Sequence, residues 1–520
     1  MHDPPNSPKK IAGNTLWYAL DASAATIVML GASVPVARAM GPNILGHYVY
    51  LLFLTNTAQR LANCGISATC RKYMAEYLGR GDFGIACELF RVTFRYQAAI
   101  AAIITIAGLC ITSFAEPGYR LVAVLIVVSM WPAMVSNIPA EANVAAENLR
   151  ANLPGSTAYL LTYSGLVTLT LTRHWGLIGL ASATLVSRMA EAAVRIAGAR
   201  MRLRGCLAPL PDELRRRMLN FSRQNLILLA LGLIVWDRSE VLFLKQFANV
   251  KQVAFYSLAF SIASQLLMAP RALSNSIGMA MLAQYGRDPM RLGALLRNAT
   301  RYVALLTIPL FLGVAAVARP LIQCTYGAGY LAVVPILSIM CICSIPRAFQ
   351  THVENLLQAT EKQGFMVRWL LVTAAVNLSL DAALIPRYGA VGAALANGLA
   401  QTIGVAGLFH KAGGTEALGS QARFLGAIAL SGVMMLGGVL TISQTLAAWP
   451  ALFAGVGAGT VIFFLGLRVT RSLEAEDYQR LQQWTRSLPR TLRWFAAYLA
   501  PRSRPAATTD RVVAAASSNQ

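Results

Sequence analysis

Ala39-Met40-Gly41-Pro42-Asn43-Ile44-Leu45-Gly46-His47-Tyr48 is answered about 208 residues later by Phe247-Ala248-Asn249-Val250-Lys251-Gln252-Val253-Ala254-Phe255-Tyr256. Each stretch leads into an apolar run and then a basic segment, closing on Tyr77-Leu78-Gly79-Arg80-Gly81-Asp82 or on Tyr285-Gly286-Arg287-Asp288. Further on, Glu147-Asn148-Leu149 recurs as Glu354-Asn355-Leu356. Arg173-His174-Trp175-Gly176-Leu177-Ile178-Gly179 recurs as Arg387-Tyr388-Gly389-Ala390-Val391-Gly392. No one match is decisive, but four in the same order at nearly one offset make an internal duplication. About six apolar runs separate equivalent points, and an even number restores the direction across a membrane. The copies are therefore expected to be parallel repeats related by an axis along the membrane normal.

The apolar runs read as membrane spans. The 520 residues are 56% hydrophobic and 13% charged, against about 25% charged in a soluble domain. Runs of about 20 apolar residues recur from near Thr15 to Leu467, each long enough to cross a hydrocarbon core of about 30 Å as a helix. Strand-like alternation is absent, and lipid leaves unpaired backbone groups no water, so the spans must be helical. The expected fold is an all-α polytopic membrane protein of about fourteen transmembrane helices, in two six-helix lobes plus two extra C-terminal helices. The expected divisions are an N-terminus at 1–10, a first lobe at 11–198, a linker at 199–217, a second lobe at 218–411, the extra pair at 422–468 and a basic tail at 469–520.

Charge gives the orientation. Lys9-Lys10, the segments 71–95, 200–223 and 287–301, and the tail hold most of the net +23. All fall on one side of the membrane, whereas Glu116-Pro117-Gly118 and residues 444–450 opposite are poor in Lys and Arg. Both termini are thus expected in the cytoplasm. The basic balance reads as topology and contact with anionic phospholipids, not as nucleic-acid binding. No small-residue cleavage site follows the first span, so removal of a signal peptide is not expected. The eight cysteines are scattered without a CxxC or Cys/His cluster. Neither a disulfide framework, a metal nor a cofactor is expected. With no P-loop, nucleophile elbow or carboxylate-rich metal motif, an enzyme is not expected either. Duplicated halves in a membrane protein point to a transporter with its site between them.

Ala37-Arg38-Ala39-Met40-Gly41-Pro42 through Gly46-His47-Tyr48, then Gly65 and Tyr77 to Asp82, resembles the opening of bacterial polysaccharide flippases. These belong to the multidrug/oligosaccharidyl-lipid/polysaccharide exporter superfamily. Trp236-Asp237-Arg238 followed by Phe255-Tyr256-Ser257-Leu258-Ala259 is similar to that family's seventh and eighth spans. Asn377 with Gly389-Ala390-Val391-Gly392-Ala393-Ala394 is similar to its eleventh and twelfth, and Glu474-Ala475-Glu476-Asp477-Tyr478 to its cytoplasmic tail. The resemblance covers about residues 12–490. It implies movement of an undecaprenyl-pyrophosphate-linked oligosaccharide from the inner to the outer leaflet of the bacterial inner membrane, with a polysaccharide polymerase or glycosyltransferases as partners. The alternatives are a cation-coupled multidrug antiporter of the same superfamily and a lipid II flippase. The usual twelve spans of the antiporters lack the extra C-terminal pair.

Ionisable residues inside spans cost about 2.5–3.5 kcal/mol each at the bilayer centre, so each needs a partner or a wet cavity. Asp237, Arg238 and Glu240 interrupt the seventh span, and Asp237 and Glu240 share a helix face. Either acid could load a proton or Na⁺ and Arg238 could bind pyrophosphate; an ion pair that only fixes packing is the alternative. Arg60 and Arg271 sit at nearly corresponding places in the two repeats, in contexts similar to those of cavity arginines in lipid II flippases. They are candidates for gripping pyrophosphate bidentately, or for anchoring at the interface. Asp21 is the only internal charge of the first span and a further ion-coupling candidate. Glu141, Glu147, Arg347, His352 and Glu354 flank the fourth and tenth spans and read as loop or interface groups. Arg188 and Glu191 read as a helix-local pair, and Leu473 to Leu499 as a basic interfacial helix.

Overall fold

The computed structural model describes residues 8–114, 116–202, 209–236, 239–285, 292–414, 418–419 and 421–470. Among them, every regular element is a helix. The first, α1 (Pro8–Ala62), carries the opening motif at its bend, where Gly41 takes φ 70° and ψ 167°. Glycine adopts that backbone freely, and other residues do not. The bend reverses the chain: Met29 and Phe53 line one cavity, although a straight helix would hold them about 36 Å apart. The second copy turns differently. There the break falls at Ala248, and the Asn249 side chain caps the next helix by accepting from the Gln252 backbone N–H at 3.0 Å.

The first half continues through α2 (Ile66–Gly79), α3 (Phe83–Thr112), α4 (Arg120–Val128), α5 (Met130–Val135), α6 (Asn137–Ala145), α7 (Leu153–Thr172) and α8 (Gly176–Arg202). The second half comprises α9 (Asp212–Trp236), α10 (Glu240–Phe247), α11 (Val250–Leu266), α12 (Met268–Tyr285), α13 (Leu292–Ala316), α14 (Ala318–Thr325), α15 (Val333–Ala348), α16 (Gln350–Ala359) and α17 (Gln363–Lys411). The appended pair is α18 (Ala422–Thr445) and α19 (Ala448–Val469). Ten helices among the described residues are long and apolar enough to cross a membrane, and the chain is an all-α, multi-pass membrane protein. The expected count of about fourteen is not read directly from these ten, because α17 is one of them yet has two arms. It folds back at Gly389 (φ 54°), so that the Trp369 indole N–H reaches the carbonyl of Gly404 at 2.9 Å.

Two cores result. Val36, Tyr48, Ile126, Tyr163 and Leu180 pack together in the first half. Val241, Tyr256, Phe311, Tyr330 and Leu337 do so in the second, and Ala37 and Phe53 of the α1 hairpin insert among them to form the seam. The appended pair packs on α13 through Phe424, Ile428 and Met435 against Ile308 and Leu312. Lipid supplies no hydrophobic drive between helices, so close contact at small residues holds them. A Cβ added at Gly432 would lie 2.8 Å from both Ile308 Cγ2 and Leu312 Cδ1.

One helix belongs to both halves. Near its start, α9 buries Leu214 and Met218 beside Tyr73, Met74 and Tyr77 of α2. At its other end, the Arg347 guanidinium donates to the Trp236 carbonyl at 2.8 Å and Asn377 to that of Ile234 at 3.3 Å. The linker boundary expected near residue 218 therefore falls inside a continuous helix that spans the seam.

Candidate functional site

A cavity of about 740 Å³ lies at this seam. The second arm of α1 presents Phe53, Asn56, Thr57, Arg60 and Asn63 to it, at the i, i+3, i+4, i+7, i+10 spacing of one helix face. The chain then breaks at Cys64 (φ 48°) and Gly65 (φ 72°). Asn63 accepts from the Ser67 backbone N–H at 3.2 Å, starting α2, which adds Ser67 and Arg71 to the wall. Asn137 and Glu141 come from α6, and Asn225, Leu229 and Leu233 from α9. A Cβ at Gly65 would lie 2.8 Å from Asn225 Cβ and 2.9 Å from the Ser222 carbonyl oxygen. The break thus needs glycine twice, for its backbone and for the approach of α9. Arg71 reaches Glu141 at 3.3 Å. Two arginines against one glutamate leave the lining cationic.

Phe53 and Asn56 also border a second chamber of about 470 Å³, where Ser33, Tyr48, Tyr163, Ser257, Ser261 and Gln265 put hydroxyl and amide groups among aliphatic ones. Ser257 Oγ is buried without a hydrogen-bond partner among the described residues. Beyond this chamber the halves close on each other. Arg38 donates to the carbonyls of Thr325, at 2.6 Å, and Cys324. Tyr330 donates to the Ala37 carbonyl at 3.0 Å, and the Ser33 and Tyr326 hydroxyls meet at 3.0 Å. At Gly46 an added Cβ would lie 2.1 Å from the Val250 carbonyl oxygen. This sealed end is the one where His47 stacks on Tyr119 at 4.1 Å, on the Lys/Arg-poor side. At the basic end, α2 and α9 are joined by Thr69 and Ser222 at 2.8 Å, Arg217 and Glu76 at 3.5 Å, and Lys72 over the Phe221 ring at 4.0 Å.

Gly46→Val is expected to hold the sealed end apart, since the close approach to Val250 is backbone against backbone. The check is labelling of Ser257→Cys by a membrane-impermeant thiol reagent added on the Tyr119 side. Labelling is expected to rise well above that of the parent; equal labelling would mean that the seal does not depend on this contact.

A second constellation lies inside the second half. Glu240 is 0% exposed. Its carboxylate accepts from the Tyr256 hydroxyl at 2.7 Å and from the Asn397 amide at 2.6 Å. Asp381, also 0% exposed, accepts from Asn377 at 3.1 Å through one oxygen. Its other oxygen and the Asn377 side-chain amide oxygen have no protein partner among the described residues. The two carboxylates are close enough to act on each other's charge. Among the described residues no Lys or Arg forms an ion pair with either.

Of the candidates named from sequence, Arg60 lines the seam cavity and Glu240 anchors the buried cluster. Arg271 is on α12, half-buried, and not among the residues lining either chamber; it acts instead on Glu354 of α16. Asp237, Arg238, the side chain of Asp21 and the tail after residue 470 lie outside the described residues. His352, read as a loop or interface group, is within α16 at 0% exposure, near Ser274 and Thr300 at 3.3 and 3.4 Å. Glu191 pairs with Arg188 at 2.8 Å and also with Arg195 at 2.9 Å. Sequence reasoning missed Asp381, although an aspartate four residues after Asn377 in an apolar span is a visible signal. It also passed over Arg71 as a topology charge.

Two helical halves enclosing a polar seam are the architecture of a known class of membrane transporters. The chain is similar to the lipid II flippase MurJ in an inward closed conformation, with a TM-score of 0.70 at 14% identity over 88% of this chain and 98% of that one. An inward-facing multidrug resistance transporter of the MATE family, in the MOP superfamily, gives 0.60 at 14% identity over 75% and 93% of the two chains. At such identities the likeness is one of fold. Residues 35–335, more than half of the chain, match the family described as "Polysaccharide biosynthesis protein", and the chain belongs to that family. The probable low-salt glycan biosynthesis flippase Agl15 of Haloferax volcanii is 21% identical over 253 residues, 48% of this chain and 53% of the relative. The chain thus spans about half the length of that curated relative.

Proposed function

We propose that this chain is a flippase that carries a polyprenyl-pyrophosphate-linked oligosaccharide across the bacterial inner membrane by alternating access, for surface polysaccharide biosynthesis. The observation that carries this reading is the cationic, amide-rich cavity at the seam, continuous in its lining with a hydroxyl-bearing chamber. A diphosphate and its sugars can leave water only for a site that replaces their hydrogen bonds and offsets the charge. Arg60 does so for the diphosphate, since a guanidinium holds its oxygens two at a time. Arg71 adds to the field, and Arg238 and Arg271 are further cationic groups for the path. The tail stays in lipid while the halves rock, and no covalent bond is made or broken. With the basic segments and both termini in the cytoplasm, the Arg60 cavity faces the leaflet where the glycolipid is made. Anionic phospholipids hold those basic segments at the surface, and a polymerase or glycosyltransferase would work beside it.

Glu240 with Asp381 is the coupling site in this reading, Asp237 and Asp21 being further candidates. Two carboxylates buried together favour a shared proton or a small hard cation held by oxygens. The antiporter alternative fits the MATE fold but not a cavity with excess arginine, which repels a cationic drug.

Deletion of the gene, with polyprenyl-pyrophosphate-linked oligosaccharides measured by mass spectrometry, tests the proposal. Complete repeat units are expected to accumulate while surface glycan is lost. Unchanged lipid intermediates in a strain without a second exporter would overturn it and leave the antiporter.

A further inference from the structure

A third cavity, of about 470 Å³, lies between α9, α16 and the two arms of α17, and the seam cavity does not include it. Its walls set Gln350, Glu354, Gln358 and Gln363 among Trp236, Trp369 and aliphatic side chains such as Met366 and Leu370, which make up most of the surface. Its volume is within the roughly 300–1,000 Å³ of small-molecule sites. From the geometry we infer that this cavity is a saccharide subsite, holding part of the oligosaccharide whose diphosphate lies at Arg60. The inference rests on the flippase reading above.

The chemistry of the wall selects the ligand. A sugar ring offers an apolar C–H face and an edge of hydroxyls that both donate and accept. Indole rings match the first, and amides and carboxylates match the second. Trp369 is fixed as a platform. Its N–H is bonded to the Gly404 carbonyl at 2.9 Å, and a Cβ at Gly407 would lie only 2.0 Å from its Cε2. Glycine at that position lets the indole lie flat on the second arm of α17. Gln350 donates to Glu354 at 2.7 Å, leaving the second carboxylate oxygen to accept from a hydroxyl.

Other ligands fit less well. A diphosphate is disfavoured because, among the described residues, the lining holds a carboxylate and no Lys or Arg. A cationic drug, which the Glu354 carboxylate could also accept, is the competing occupant. A polyprenyl or acyl chain fits instead the groove on the outer face of α3, α5 and α8, lined by Ile106, Leu109, Trp131, Met189 and Ile196.

Position agrees with chemistry. The seam cavity touches Leu229 and Leu233 of α9, and the third cavity touches Gly232 and Trp236. The two cavities thus lie on adjoining faces of one helix, and a helix with its side chains is about 10–12 Å across. An oligosaccharide attached at Arg60 has to pass around α9, over at least that distance, to enter the third cavity.

The test compares two probes on the full-length protein in lipid nanodiscs: the lipid-linked oligosaccharide accumulated by a deletion strain, and undecaprenyl pyrophosphate bearing no sugar. Gln350→Ala, Gln358→Ala and Trp369→Ala are each expected to weaken the glycosylated probe about tenfold and leave the bare carrier unchanged. Arg60→Ala is expected to weaken both. Should Trp369→Ala fail to fold, the glutamine variants still decide. Equal loss for both probes in folded variants, or no loss for either, would overturn the subsite. Tetraphenylphosphonium binding abolished by Glu354→Gln would also overturn it, in favour of a cation cavity. A parent protein that binds neither probe would remove the flippase reading itself and the subsite with it.

Discussion

Arg60→Ala is expected to lower export of the lipid-linked oligosaccharide by about a hundredfold or more, with the protein at its normal level in the membrane. The reasoning runs from position to magnitude. Arg60 ends the stripe Phe53, Asn56, Thr57, Arg60 on the second arm of α1 and lies in the cavity wall, not in a core. Its loss therefore opens no packed interior, and folding is spared. A charge-assisted hydrogen bond contributes about 1.5–3 kcal/mol, and a bidentate grip makes two. Arg60→Lys keeps the charge but loses the fork, so an intermediate export rate is expected. Arg71→Ala is expected to cost less, because Glu141 already engages Arg71 at 3.3 Å. Complementation of a deletion strain, scored by surface glycan and accumulated intermediate, reads all three. Full export by Arg60→Ala combined with Arg271→Ala would remove both arginines from the path.

What the sequence made legible was local or periodic. Apolar runs of span length announce helices because lipid permits little else. Gly41-Pro42-Asn43 marks the reversal of α1 because only glycine takes φ 70° there without strain. Arg60 was legible because a charge beside an apolar run always needs a reason. What stayed hidden was pairing across long separations. Glu141 finds Arg71 from 70 residues away; alone, the first read as a loop or interface group and the second as a topology charge. Asp381 lies in a 49-residue helix and shares its cluster with a glutamate from α10; no spacing rule links the two. Likewise the seam runs along α9, whose start packs on α2 and whose end packs on α17. A division read from repeat offsets cannot see that a helix of one copy is shared with the other.

The buried pair gives the sharpest separation of coupling from architecture. Asp381→Asn is expected to leave the purified protein at least as heat-stable as the parent while lowering gradient-driven transport by about tenfold or more. Asp381 is fully buried, and one of its oxygens has no protein partner among the described residues. Glu240 adds like charge nearby. Removing such a charge relieves a desolvation penalty, so stability rises or holds. An aspartate retained only for packing would show the reverse, since its replacement would cost stability and spare transport. Glu240→Ala is the contrasting case. It strands the Tyr256 hydroxyl and the Asn397 amide, which reach the carboxylate at 2.7 and 2.6 Å, and is expected to destabilise the fold by about 2–4 kcal/mol. Glu240→Gln, which can still meet both groups, is expected to fold normally and to lose coupling. The measurement is transport in proteoliposomes under an imposed pH or Na⁺ gradient, beside a thermal unfolding curve for each variant. If Asp381→Asn and Glu240→Gln both transport at the parent's rate and respond to the gradient as it does, the pair carries no ion. The driving force would then lie elsewhere in the chain or in the lipid gradient itself.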